Sequence, residues 1–143
     1  MGISKASGAW DGDLKSGKGT MTPAHADAIP FSLGSRFEGK QGSNPEEVIG
    51  AALSGCFSMA LSLGLEKAGA TPKTIRTTAD VKLDKEGEGF TITSIALSTT
   101  VDASGIDEAK FQEVAQGTKK ACPVSKALAG VASITLTAKL GAS

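Results

Sequence analysis

The sequence predicts an α+β protein, and three observations predict it. VIGAALSGCFSMALSLGL (48–65) carries no charge and follows a helix-start signal. Two alternating segments, IRTTADVKLD (75–84) and FTITSIALSTTVD (90–102), flank the turn signal KEGEG. A segment with helical period, IDEAKFQEVAQGTKKA (106–121), precedes a last alternating run, VASITLTAKL (131–140). Strands, a long helix, a hairpin, shorter helices and a closing strand make an α+β layout. No linker divides it, so residues 1–143 are expected to form a single domain.

The glycine-rich start, GAWDGDLKSGKGTMT, reads as short strands joined by tight turns, and residues 23–43, with Pro23, Pro30, Gly34, Gly39 and Gly42, read as loop. The central helix opens on SNPEE. Asn44 is its N-cap, Pro45 fits the first helical position, and Glu47 stands where a capping box wants a carboxylate. Glu46 and Glu47 both favour the positive end of the helix dipole. The helix is expected to run to about Lys67, with Ala68-Gly69 as its stop. In the second strand of the hairpin, Phe90 and Ile92 have one parity and Ile95 and Leu97 the other, which predicts a bulge or a change of face. Ile106, Phe111, Val114 and Ala115 form the inward face of the next helix, and CPVSKAL opens a short one. In the last strand Ile134, Leu136 and Ala138 share a face; SITLT (133–137) echoes SIALS (94–98) as strand composition rather than as a repeat.

The central helix would rise roughly 27 Å over its uncharged stretch, close to a bilayer's hydrocarbon thickness. Its interspersed glycines and serines, and the amphipathic strands around it, favour a core helix over a membrane span. Gly50, Ser54, Ser58 and Ser62 form a stripe of small residues at i, i+4 spacing, the kind that admits another helix closely. A second copy of the helix is therefore expected against that stripe in a symmetric dimer.

Fifteen cations balance fifteen anions, so no basic field invites nucleic acid and no acidic tail stands out. The only arginines are Arg36 and Arg76, and the only histidine is His25, expected in a surface loop. Histidine-rich metal sites, and Ser-His-Asp catalysis that avoids His25, are excluded. Residues 1–15 lack a signal-peptide pattern, which makes the cytoplasm the expected address. Two cysteines lie far apart without a C-x-x-C motif, so a disulfide between them would be catalytic sooner than structural.

Each cysteine has a bland and a chemical reading. Cys56 can be a small core hydrophobe; as a reactive thiol it gains little from the dipole at mid-helix, and burial would raise its pKa, so it would need a cation nearby. Cys122 can simply fill a cap; placed before Pro123, it also has the helix dipole and the charges of Lys119 and Lys120 to favour a thiolate. Local electrostatics make Cys122 the more activated of the two.

GSRFEGKQGSNPEEVIGAALSGCFSMALSL, TTADVKLDK and ACPVSKAL, with AWDGDLKSGKGT near the start, closely resemble the OsmC branch of the OsmC/Ohr family of thiol peroxidases over nearly the whole chain. The joint order of RFEG, NPEE-x8-CFS and CPVS is what makes the resemblance specific. It implies an OsmC-like fold, with antiparallel sheets wrapped around long central helices in an intertwined homodimer. It also implies reduction of organic hydroperoxides and hydrogen peroxide in oxidative or osmotic stress defence, without metal, haem or flavin. By the same resemblance Cys56 attacks the peroxide, Cys122 resolves the product, Arg36 is the active-site arginine and Glu46 its carboxylate partner, while Glu47 stays a cap residue.

Chemistry agrees with these roles. A forked guanidinium at Arg36 can stabilise a buried thiolate and hold peroxide oxygens, and Glu46 can orient it as a bidentate pair. The Cys56 thiolate would become a sulfenic acid and then a disulfide with Cys122, to be reopened by a dithiol reductant, of lipoyl type in the related Ohr branch. Glu46 and Cys56 are ten residues apart on one helix, a rise of about 15 Å, so a composite site is expected in which Glu46 comes from the partner chain. Two other readings stand beside this one: a non-enzymatic carrier of apolar small molecules or lipids with structural cysteines, and a protein disulfide oxidoreductase.

Overall fold

The computed structural model describes residues 2–141. The chain forms two compact units, one within residues 1–48 and one within residues 49–143. The first is built on an antiparallel sheet of β1 (Ala6–Asp11), β2 (Lys18–Pro23) and β3 (Ile29–Phe31), followed by a one-turn helix α1 (Leu33–Phe37). His25 lies exposed in the turn between β2 and β3. Residues 23–43 are thus not all loop. β3 is only three residues long but pairs fully with β2, and α1 closes through a capping box that two serines make in place of the usual carboxylate.

Helix α2 (Pro45–Lys67) has the predicted ends. Asn44 Oδ1 accepts from the Glu47 N–H at 2.8 Å, and Gly69 takes a positive φ of 88° just past the last turn. The reciprocal half of the expected capping box is not made. The Glu47 carboxylate instead accepts the Ser43 hydroxyl at 2.6 Å, a nearer donor on the exposed side of the turn.

In the second unit β4 (Thr71–Glu86) and β5 (Gly89–Ser104) form a long antiparallel hairpin around a two-residue turn. The predicted bulge is present. Lys82 pairs with Ser94 and Leu83 with Ile92, leaving Thr93 as the extra residue, so that Ile92 and Ile95 both reach the core despite opposite parity. α3 (Glu108–Ala121) and α4 (Pro123–Ala127) then carry the chain to β6 (Ser133–Leu140). β6 lies parallel to β5, so this sheet is mixed where antiparallel pairing throughout was expected. The helical crossover returns the chain in the direction of β5, and SITLT pairs in register with SIALS.

The core lies in this second unit. Leu53, Phe57, Leu61 and Leu65 of α2, at i, i+4 spacing, meet Ile95, Leu97 and Val101 of β5 and Phe111 and Ala115 of α3. Fully burying a side chain such as Leu61 contributes about 1.5–3 kcal/mol. A polar seam crosses the same interface. Ser58 donates to Thr77 at 2.7 Å, Thr77 and Thr99 share a bond of 2.9 Å, and Thr99 donates to the Arg76 carbonyl. The seam satisfies the buried Thr99 hydroxyl and ties α2 to both strands.

The row of small residues on α2 does not face outward as expected. A Cβ on Gly50 would stand 3.1 Å from Val81 Cγ2, and Ser58 is bonded to Thr77, so this row lies along β4. Its smallness serves close approach of the strand. The row left exposed is Ala51, Gly55, Met59 and Leu63, with Met59 81% exposed. α2 is long and apolar enough to cross a membrane by length and composition, but its large buried side chains belong to the core of its own unit.

Candidate active site

The four predicted site residues come together as two pairs. In the first unit, Ser32 caps α1, and the Ser35 hydroxyl, while accepting from the Ser32 N–H at 2.8 Å, donates to the Ser43 carbonyl at 2.6 Å. The Ser43 N–H donates to the Pro30 carbonyl. These bonds tie α1 to the start of α2, and so bring Arg36 to Glu46. The pair is bidentate: Nε lies 2.8 Å from Oε1 and Nη2 lies 2.9 Å from Oε2. Glu46 is 8% exposed and the Arg36 side chain 34%, so the carboxylate is the anchored partner and the guanidinium the accessible one. Arg36 also lies 5.3 Å from the centroid of the Phe37 ring. Beside it, Trp10, Leu14, Phe31, Leu33 and Phe37 line a pocket of about 300 Å³, in which the Trp10 and Phe31 rings are 5.6 Å apart.

In the second unit, Cys122 ends α3 and begins α4. Its N–H donates to the Thr118 carbonyl, its φ of −55° and ψ of 126° turn the chain, and Pro123 takes the first position of α4. α3 lies close against α2 at Gly64, where an added Cβ would meet Val114 and Thr118 at 3.1 and 3.3 Å. This approach brings Cys122 to Cys56. Both thiols are free, and their sulfurs are 2.8 Å apart although 66 residues separate them in the chain. Cys122 is fully buried, whereas Cys56 is half-buried.

The two thiols are shifted in opposite senses. Burial pushes Cys56 up, and the hydrogen bond and charge of Cys122 add to the rise, against one opposing bond from the Val124 N–H. Burial also acts to raise Cys122, but the Cys56 thiol, the N–H groups of Ser125 and Val124 and the Ser125 hydroxyl outweigh it and hold Cys122 below its ordinary value. Cys122 is therefore the more acidic thiol, as its cap position predicts, and one hydrogen bond of 2.8 Å links the two sulfurs. Among the described residues, the groups that act on Cys56 are Cys122 and the Val124 N–H.

Two serines escaped the reading of the sequence. Ser35 fixes the Arg36 turn, and Ser125 helps to hold the Cys122 pKa down; the available signal was spacing, Ser32-x-x-Ser35 as a capping box and Ser125 three residues after the cap cysteine. Among the described residues, no group of three or more His, Cys, Asp or Glu side chains is gathered to hold a metal.

One buried and one half-buried thiol meet beside a proline-led helix, and an arginine is clamped by a glutamate at the head of a long apolar helix. The family described as OsmC-like protein matches residues 37–137. Peroxiredoxin OsmC of Escherichia coli (strain K12) is 50% identical over 138 residues, covering 95% of each chain. Organic hydroperoxide resistance protein OhrB of Bacillus subtilis (strain 168) is 29% identical over 103 residues, covering 71% of this chain and 74% of its own. Among solved structures, an OsmC-like protein from Mycoplasma pneumoniae superposes with a TM-score of 0.79 at 14% identity, covering 99% of both chains. OhrB of Bacillus subtilis superposes at 0.67 and 23% identity, covering 96% of this chain and 98% of that one. At such identities the likeness is one of fold. Fold and sequence agree, and the chain belongs to the OsmC-like protein family.

Proposed function

We propose that this protein is a thiol-dependent peroxidase that reduces organic hydroperoxides and hydrogen peroxide in the cytoplasm, as part of oxidative or osmotic stress defence. The Cys56 thiolate attacks the O–O bond, becomes a sulfenic acid and releases an alcohol or water. Cys122 condenses with the sulfenic acid, water leaves, and a Cys56–Cys122 disulfide forms. A dithiol restores both thiols. The observation that carries this reading is the 2.8 Å approach of two sulfurs from distant parts of the chain, one half-exposed and one buried. The names of the relatives, a peroxiredoxin and an organic hydroperoxide resistance protein, support the reaction class.

Cys56 is pushed up within its own chain, so ionising it requires a cation. Arg36, clamped by Glu46 and beside an aromatic pocket able to take an organic tail, is the cation we assign. Glu46 and Cys56 lie ten residues apart on α2, too far along one helix to serve one sulfur. We therefore assign the Arg36–Glu46 pair of one protomer to the Cys56 of its partner in a homodimer. The exposed apolar row of α2 supplies a face for that association.

Peroxide consumption in the presence of dithiothreitol tests the reaction. Cys56→Ser is expected to abolish it. Cys122→Ser is expected to allow one oxidation per chain and then stop. The reverse pattern would exchange the roles of the two sulfurs, and unimpaired turnover in both variants would refute the peroxidase reading.

A further inference from the structure

Ser125 is 8% exposed, and its hydroxyl is the one fully buried side-chain polar atom without a hydrogen-bond partner among the described residues. Burying such a group is costly, and native proteins keep few of them. Its position supplies a reason. Ser125 is the third residue of α4, one turn from the cap residue Cys122, whose side chain makes no capping bond. A side chain at this position reaches back to the cap residue, as in a capping box. Ser125 acts to lower the Cys122 pKa, as do the N–H groups of Val124 and of Ser125 itself, while its hydroxyl stands unpartnered one turn from the sulfur-bearing cap residue. Cys56 on α2 lies 2.8 Å from Cys122, and the nearest titratable groups along the chain are Lys119 and Lys120 at the end of α3 and Lys126 on α4; Lys119 is engaged with the Ile134 carbonyl, 3.1 Å away.

We propose that Ser125 is the donor that receives Cys122 as a thiolate when the disulfide is opened, and that it thereby directs the reductant to Cys56. This rests on the peroxidase reading. Exposure and hydrogen bonding point the same way: the half-buried Cys56 is the sulfur a reductant can reach, and the fully buried Cys122 is the one with donors arranged around it. A thiolate of the dithiol reductant attacks Cys56 Sγ. A new S–S bond forms as the Cys56–Cys122 bond breaks, and the electron pair leaves on Cys122 Sγ, to which the Ser125 O–H donates. The second thiol of the reductant then displaces Cys56 and closes its own disulfide. Two electrons have passed from the dithiol to the protein, and its two protons go to the freed sulfurs. A lower leaving-thiol pKa speeds the first displacement.

The test is made in two measurements. In a Cys56→Ser background, thiolate ultraviolet absorbance against pH reports Cys122 alone. Ser125→Ala is expected to raise its midpoint by about one pH unit, and Ser125→Thr to restore it. In the chain with both cysteines, stopped-flow reduction of the oxidised protein by dithiothreitol is expected to slow about threefold in Ser125→Ala and recover in Ser125→Thr. Melting curves verify that each variant is folded; should Ser125→Ala fail to fold, Ser125→Gly makes the same deletion. An unchanged midpoint in a folded variant lacking the hydroxyl overturns the proposal, as does loss of the effect's dependence on a hydroxyl at that position. The titration does not involve peroxide, so its outcome is separable from failure of the peroxidase reading, which the peroxide assay of the cysteine variants decides.

Discussion

Arg36 is held by both carboxylate oxygens of Glu46, and this geometry rather than charge alone is what the proposed role needs. A lysine at position 36 keeps the charge but cannot make two parallel bonds to Glu46 while presenting a second edge to a sulfur. Arg36→Lys is therefore expected to lower kcat/KM for an organic hydroperoxide by about 100-fold with the fold intact, as initial-rate measurements would check. A rate near wild type would mean that a point charge suffices. At this scale the sequence was legible where spacing carries physics. Cys122 before Pro123 announced a cap cysteine, and it is the thiol held low. Ser35 and Ser125 were not legible, because a serine three residues from a cap is common, and only burial and the paths of the neighbouring bonds reveal what it serves.

Helix α2 carries two faces with different work. Leu53, Phe57, Leu61 and Leu65 supply the core, while the glycine and serine row admits β4. Truncating Leu61 to alanine removes a fully buried side chain between sheet and helix and is expected to destabilise by about 2–5 kcal/mol, measured by denaturant unfolding. A cost below about 1 kcal/mol would show that the core relaxes around the cavity. The ends of α2 were readable from Asn44, Pro45 and Gly69, since caps are local. Which small-residue row faces the sheet was not readable. Gly50–Ser54–Ser58–Ser62 and Ala51–Gly55–Met59–Leu63 are adjacent rows of similar character, and only the strand behind them, with Val81 and Thr77 at the right heights, decides between them. Likewise the parallel run of β6 follows from the helical crossover, which alternation within the strand cannot report. The bulge at Thr93 was readable, because two apolar pairs of opposite parity can share one core only if the ladder takes in an extra residue between them.

For the whole molecule, one chain brings its two free thiols within hydrogen-bonding distance and clamps its arginine, but its own residues raise the pKa of the sulfur assigned to attack. In the proposed homodimer the guanidinium of one chain ionises the Cys56 of the other, so a working site needs two chains. The measurement that tests this most directly is complementation between two inactive variants. Arg36→Ala keeps both cysteines, and Cys56→Ser keeps the arginine. Each alone is expected to consume no peroxide in the presence of a dithiol. Co-expressed with different tags and purified through both, the mixed dimer pairs an intact Cys56 with an intact Arg36 in one of its two sites and is expected to recover about half the wild-type rate. An inactive mixed dimer, purified and folded, would contradict a site shared between chains.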